Sequence, residues 1–418
     1  MDDVLVSVVC ITYNHESYIR DTLEGIIHQN VEFKYEAIVH DDASTDNTPQ
    51  IIQEYEKKYP DLFRVIYESE NQCKKRGLSS ITMDILKKCR GRYIAICEGD
   101  DFWIDNNKLR IQIDWMERHP DYFMTAHNAL LMDYKKDALE AMNPYLSEKE
   151  ISPEELIMQY NGNIPSASII MRADIKNMEH FFMECGVGDI PMQLYSIAKG
   201  KVYYFDRIMS VYRHNHKGSW CVDTLNSDIE KVILHYAKMI RFIHEYDEYT
   251  KKIFSKIMND KVLYYLFIAF RYSDNLQVTE FMKKAQKLIE ESDESLKKYI
   301  EDIFEAYKQF YSENYLSAGL RNFIRNYQHV YIWGTGYYGK SLAEKFRVNG
   351  IEYDGFIVSD EIDTDNEFMG KPVYKISEAC RKQKNAGIIG AVNSELWKSI
   401  KSTLEDNKVT EYCYMLCI

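Results

Sequence analysis

The chain has 418 residues, 45% hydrophobic and 28% charged, with a formal net charge of −13. That length suits two or three domains, and the composition suits a globular protein. The acidic balance argues against nucleic acid as the main partner, because such binding needs a basic surface. It does not exclude anionic small molecules, which a divalent cation and helix N-termini can hold inside an acidic protein.

No stretch approaches the roughly 20 consecutive apolar residues that a membrane span needs. The opening MDDVLVSVVCITYNH lacks the basic region and cleavage site of a signal peptide. A cytoplasmic protein, at most peripheral at the inner face of the membrane, is expected. Nine cysteines are scattered without CxxC pairs or zinc spacing and are expected to be free thiols.

In chain order, the first 220 residues alternate strand and helix signals. VLVSVVCI (4–11) is a β-branched strand, after which Asn14 can cap a helix carrying Ile19, Leu23, Ile26 and Ile27 at helical spacing. YEAIVH (35–40) is a second strand. After the turn residues DDASTDNTP, Thr48 with Pro49 starts a helix. LFRVIY (62–67), a helix around Ile81 to Leu86, and YIAIC (93–97) continue the pattern. A mainly parallel α/β sheet covered by helices follows.

Ligands of such sheets sit outside the carboxyl ends of the strands. Three polar clusters fall there: Thr12-Tyr13-Asn14, Asp41-Asp42, and Glu98-Gly99-Asp100-Asp101. The last places three carboxylates in four positions, a repulsive arrangement that a cation would relieve. A negatively charged turn capping the next helix, with Asp105 and Asn106 as cap residues, is the alternative. If a sugar nucleotide binds across these ends, Asp42 is placed to accept from the imide N–H of its base. Mg²⁺ or Mn²⁺ at the carboxylate cluster would then stabilise the departing diphosphate.

From about 225 to 325 the chain lacks proline, holds little glycine and reads as packed helices. At 329 a second alternating unit begins. GTGYYG (334–339) follows an apolar strand and opens a helix, the context required of a GxGxxG turn, and Asp360 ends the next strand. Gly334, Gly336, Gly339 and Asp360 are thus a candidate second nucleotide site, against the alternative of a structural or dimerising Rossmann-like module. GIIGAV (387–392) is a later strand, followed by a helix through Trp397 and Leu404. The expected modules are 1–222, a helical 223–327, and a small Rossmann-like 328–418.

The runs VSVVCITYNHESYIRDTLEGIIHQ, IVHDDASTDNT and GRYIAICEGDDFWIDNNKLRIQIDWMERHPDY resemble the inverting glycosyltransferase family 2, over nearly all of residues 4 to 220. The resemblance implies the GT-A fold, a nucleotide-diphosphate sugar donor, a UDP-sugar by default, and a glycan or lipid-linked glycan acceptor in bacterial surface polysaccharide or glycoconjugate synthesis. Thr12, Tyr13, Asn14 and Asp42 fall where the family holds the nucleotide. Glu98-Gly99-Asp100 occupies its DxD motif, with Asp100 as metal ligand and Glu98 departing from the usual Asp.

An inverting transfer is one in-line displacement and needs a general base on the far side from the diphosphate. GVGDIPMQLYSIAKGKVYYFDRIMSVYRHNHKGSW (186–220) looks like the family's acceptor segment, which makes Asp189 that base. A plain N-cap role for Asp189 is the alternative. His214 and His216 flank the position where relatives carry one histidine. The choice between them stays open, with His216 carried as a candidate metal ligand. Asp101 and Trp103 are candidates for the acceptor or donor-sugar side. Lys74, Lys75 and Arg76 could meet phosphate or simply be solvated, and His127 reads as a core histidine. A non-catalytic sugar-nucleotide-binding scaffold is the competing function. A homodimer is left open.

Overall fold

In the computed structural model, described for residues 4–145, 147–159, 164–216, 229–271, 278–310, 318–348, 350–362, 365–382, 386–390, 400, 403–404 and 412–414, the central element is the first strand. β1 (Val6–Thr12) is buried on both faces, as an inner parallel strand must be. It pairs in parallel with β2 (Tyr35–Asp41) on one side and, after α1 (Ile19–Ile27), α2 (Thr48–Lys58), β3 (Phe63–Tyr67), α3 (Gln72–Arg76) and α4 (Leu78–Leu86), with β4 (Tyr93–Ile96) on the other. The chain then forms β5 (Phe102–Trp103), α5 (Lys108–Arg118), β6 (Tyr122–Asp133), β7 (Ala138–Ala141), β8 (Lys149–Ile151), α6 (Pro153–Met158), β9 (Ile170–Arg172), α7 (Asp189–Lys199) and β10 (Lys201–His214). The sheet order is β3-β2-β1-β4-β9-β6-β10-β5, with β7 on β6 and β8 on β10. Parallel pairing dominates, and β9, β5, β7 and β8 join antiparallel.

Val6, Val8 and Cys10 of β1 meet Leu23 and Ile26 of α1, Ile52 of α2, and Leu109 and Ile113 of α5 in one apolar cluster. The alternation of strand side chains sends Ser7 to the other face. There its hydroxyl donates to Oε1 of buried Glu36 (2.7 Å). The same carboxylate accepts from the Arg90 amide (2.8 Å), the Arg90 side chain (2.8 Å) and Arg64 (2.9 Å).

Two expected helix starts move. Asn14 does not cap α1, whose N-cap is Tyr18; its side chain is spent on the loop after β2. The α2 cap is Asn47, and Thr48 is the first helical residue.

The chain divides into two compact units, residues 1–265 and 266–418. The first extends beyond the expected boundary at 222 because α8 (Ile229–Tyr249) packs on the α7 region. Arg241 of α8 pairs with Glu184, and the Tyr246 hydroxyl donates to the Leu194 carbonyl (2.7 Å). From α9 (Ser255–Arg271), buried Lys261 donates to the Met158 carbonyl (3.1 Å).

The second unit holds α10 (Val278–Glu291), α11 (Glu294–Phe310) and α12 (Ala318–Arg325). Its sheet, order β13-β14-β12-β11-β15-β16, is built on β11 (His329–Trp333). β11 pairs in parallel with β12 (Gly355–Val358) and β15 (Ala386–Gly390). β14 (Lys371–Lys375) and β16 (Tyr412–Tyr414) extend it in parallel, and β13 (Glu367–Phe368) joins antiparallel. α13 (Tyr337–Val348) and α14 (Ile376–Lys382) cover it. The expected helix through Trp397 lies outside the described residues except at its end. Among the described residues no helix is long and apolar enough to cross a membrane.

Burial pushes the Glu36 carboxyl up, but Arg90, Ser7 and Arg64 outweigh it and hold it at about 2, below its ordinary 4.5. A depressed carboxyl contributes stability that is present above its unfolded value and lost as pH falls through its folded one. Glu36→Gln should therefore cost roughly 1–3 kcal/mol at pH 7. In urea melts the gap to wild type should close as pH falls from about 4.5 towards 2.

Candidate active site

The parallel registers bring three strand ends together. Thr12 pairs with Asp41, the Asp42 amide donates to the Thr12 carbonyl (3.0 Å), and the Gly99 amide donates to the Ile11 carbonyl (2.9 Å). Asn14 adopts the left-handed conformation (φ 56°), which Asn tolerates better than most residues. Its Oδ1 accepts from the Thr45 amide (2.7 Å), and its own amide donates to Ser44 Oγ (2.8 Å). This joins the exit of β1 to the loop after β2.

Gly99 is the only residue type that fits its place in the acidic turn. A Cβ there would lie 2.5 Å from Thr12 Oγ1 and 2.9 Å from His15 Nδ1. Among the described residues both of those atoms are buried without a hydrogen-bond partner. The chain on either side of Gly99 holds Glu98, Asp100 and Asp101 in three different environments.

Asp100 faces two imidazoles. His216 Nε2 lies 3.0 Å and His15 Nε2 3.9 Å from its Oδ2. Burial works against its ionisation, but His15 and His216 more than offset this and hold its carboxyl below the usual range. Asp101, 1% exposed, turns inward to accept from the Arg213 amide at Oδ1 (2.9 Å). Burial and the neighbouring Asp100 and Glu98 push its carboxyl well up. Glu98 is pushed up to about 8 by burial and by the charges of Asp100 and Asp189.

Asp189 is the first residue of α7, with Gly188 as N-cap, so it does not serve as the cap. Ser79 Oγ donates to the Val187 carbonyl (2.7 Å), which fixes the approach to that helix from α4. Burial raises the Asp189 carboxyl. Its charge is one of the causes that raise Glu98.

His216 reaches the site because Asn215 takes the left-handed conformation (φ 58°) and donates to Asp133 Oδ1 (2.9 Å). The chain therefore turns back at the end of β10. The His216 ring packs edge-on to Tyr18 (4.7 Å between centroids) and Tyr134 (6.1 Å). His214 instead lies beside Asp133, with its carbonyl accepting from the Tyr134 amide.

Residues 7–164 match the family model described as Glycosyl transferase family 2. That segment carries the family 2 glycosyltransferase pattern. An uncharacterized Mycobacterium tuberculosis protein is 34% identical over 220 residues, covering 51% of this chain and 60% of that protein. The chain thus spans well under two thirds of that relative's length. The Escherichia coli UDP-Glc:alpha-D-GlcNAc-diphosphoundecaprenol beta-1,3-glucosyltransferase WfaP is 26% identical over 215 residues, covering 51% of this chain and 79% of WfaP. Among solved structures, Staphylococcus aureus TarS 1–349 in complex with UDP-GlcNAc superimposes with a TM-score of 0.52 at 15% identity, over 73% of this chain and 92% of that one. The shared architecture is the GT-A fold.

Several site expectations for the glycosyltransferase domain are corrected by its geometry. Trp103 is 3% exposed, sits in the main core and donates its indole N–H to the Ala167 carbonyl (2.8 Å), so it offers no face to a sugar. Asp101 is likewise turned away from solvent. Asp42, 1% exposed, accepts from the amides of Gln72 (2.7 Å) and Cys73 (2.9 Å) and so anchors α3. Lys75 and Arg76 pair with Glu70 and Asp84, while Lys74 Nζ lies 5.8 Å from the centre of the Tyr13 ring. His127 is fully buried, with Nδ1 2.7 Å from the Asn128 carbonyl.

A divalent cation fits the donor set of the acidic turn. Among the described residues no group of three or more His, Cys, Asp or Glu is arranged to hold a metal. Asp100 and His216 can supply one oxygen and one nitrogen, leaving the other positions to diphosphate oxygens and water, as is usual for Mg²⁺ with a nucleotide.

The glycine turn of the second unit shows close backbone approach. Gly334 has φ 101°, and a Cβ on Gly339 would strike the Gly334 carbonyl oxygen at 1.9 Å. Gly336 faces open space. Asp360 accepts from the Ser377 amide at the start of α14 (3.2 Å).

His15, Asp21 and Arg213 escaped sequence reasoning. Only the spacing of His15 from the first strand end could have flagged one of them. Gly99→Ala should lower the melting temperature by several degrees through the clash with Thr12 and His15. Trp103→Phe should cost about 1 kcal/mol and leave the acceptor KM unchanged, as measured by chemical denaturation and steady-state kinetics.

Proposed function

We propose that the protein transfers a sugar, with inversion, from a nucleotide-diphosphate donor to a hydroxyl acceptor, with Asp189 as general base. A UDP-sugar donor and a glycan or lipid-linked glycan acceptor of bacterial surface polysaccharide synthesis are the assignments in line with WfaP and TarS. The support for the reading is the parallel register that gathers the ends of β1, β2 and β4 into one polar surface, with Asp189 opening α7 near enough for its charge to raise Glu98.

In this reading the acceptor O–H gives its proton to the Asp189 carboxylate as the oxygen attacks the anomeric carbon. The new C–O bond forms as the bond to the diphosphate breaks, and the electron pair leaves with the diphosphate. A carboxyl raised by burial takes that proton more readily than a solvated one. A cation held by Asp100 and His216 would offset the charge gathering on the leaving diphosphate. Thr12 Oγ1, buried without a partner, is available to the nucleotide at the end of β1. Tyr13 and Asn14 follow at the same strand end, and Asn14 shapes the loop at 44–45.

Asp189→Asn should keep donor binding, read as a thermal shift with UDP-sugars and Mn²⁺. It should lower transfer about 10²–10⁴-fold, the range for loss of a general base. Asp100→Ala should lose the Mn²⁺-dependent part of the thermal shift. Transfer unchanged in Asp189→Asn would remove the base and favour a sugar-nucleotide-binding scaffold.

A further inference from the structure

Three carboxyl groups crowd the turn at 98–101, yet only Asp100 is directed at the histidines. A cation from another strand reaches this turn. We infer that Arg213, at the end of β10, is a positioning residue that sets the acidic turn so that the Asp100 carboxylate is presented to a divalent cation. The inference rests on the metal-assisted reading above.

The guanidinium reaches the turn without occupying its carboxylates. Nη1 donates to the main-chain carbonyl of Asp100 (2.7 Å), and Nη2 pairs with Asp21 of α1. The Arg213 amide, meanwhile, holds Asp101 Oδ1 (2.9 Å). One residue therefore fixes the backbone of Asp100 and withdraws the carboxyl beside it. Its charge, only 5% exposed, offsets repulsion within the turn while leaving both Asp100 oxygens free of it.

The packing calls for arginine. The guanidinium carbon lies 4.3 Å from the centre of the Phe102 ring and 5.2 Å from that of Tyr18. A planar, delocalised cation can lie against rings while donating in its own plane, and a lysine ammonium cannot reproduce that fork. Thr22 adds a second tie from α1 with the same effect. Its hydroxyl lies 2.6 Å from the Asp101 carbonyl and 3.1 Å from that of Gly99. The turn is thus held to α1 from two sides, through Thr22 directly and through Arg213 by way of Asp21.

The experiment titrates Mn²⁺ into the full-length protein with UDP at a fixed saturating concentration, against a protein-free control, with free ion followed by electron paramagnetic resonance. Wild type, Arg213→Lys, Asp21→Ala and Asp100→Ala are compared, and each is checked by thermal melting. Asp21 is about half exposed, so its variant preserves the fold even if Arg213→Lys does not. Arg213→Lys should raise the Mn²⁺ dissociation constant about tenfold and Asp21→Ala about threefold, with Asp100→Ala losing the site. The transfer rate of Asp21→Ala should recover at high Mn²⁺, whereas general loosening of the fold would depress it at every concentration. Unchanged Mn²⁺ affinity in the folded Arg213 and Asp21 variants, with loss in Asp100→Ala, overturns the positioning role alone. Absence of Mn²⁺ binding by wild type overturns the metal reading and this inference with it.

Discussion

The parallel register of β1 with β2 and β4 is the constraint on which the site depends. It sets Thr12 against Asp41 and brings Gly99 under the end of β1, so three separate polar clusters become one surface. Shifting one strand by a single residue would turn its buried side chains to the opposite face. The core therefore enforces the site. Val8, Cys10, Ala37, Val39 and Ala95 must interlock before the residues beyond them can meet.

Within that surface, environment divides the labour among chemically similar groups. Histidines keep Asp100 charged, burial beside other carboxyls favours the neutral forms of Glu98 and Asp101, and burial makes Asp189 a better proton acceptor. Two carboxylates about 4 Å apart repel by several kcal/mol once water is partly excluded. The turn tolerates its composition because its members do not share one environment. Arg213 places its charge on a carbonyl, outside the space between the carboxylates.

The helices after β10 belong to the same economy of support. α8 joins Glu184 through Arg241 and Leu194 through Tyr246, on either side of the start of α7. The residues that hold Asp189 in place thus extend past the segment matched by the family model. In the second unit, glycines permit a tight turn after β11, and Asp360 accepts from the Ser377 amide of α14. A motif spacing there describes backbone geometry before it describes a ligand.

By itself the sequence determined the alternation of strands and helices through β4, the strands β11, β12 and β15 of the second sheet, and the candidate acids Asp100 and Asp189. These follow from periodicity, turn chemistry and local charge, or from runs of adjacent residues with a recognisable family pattern. The tertiary structure decided which side chains of the turn are buried and which meet partners from distant strands. Trp103 and Asp101 sit one to three residues from Asp100 yet point into the core, while His216 and Arg213 arrive from more than a hundred residues away. It also turned His216 toward Asp100 and left His214 beside Asp133, through one left-handed residue at Asn215. Orientation is settled by packing and by partners distant in the chain, and neither leaves a periodic trace in the local order of residues.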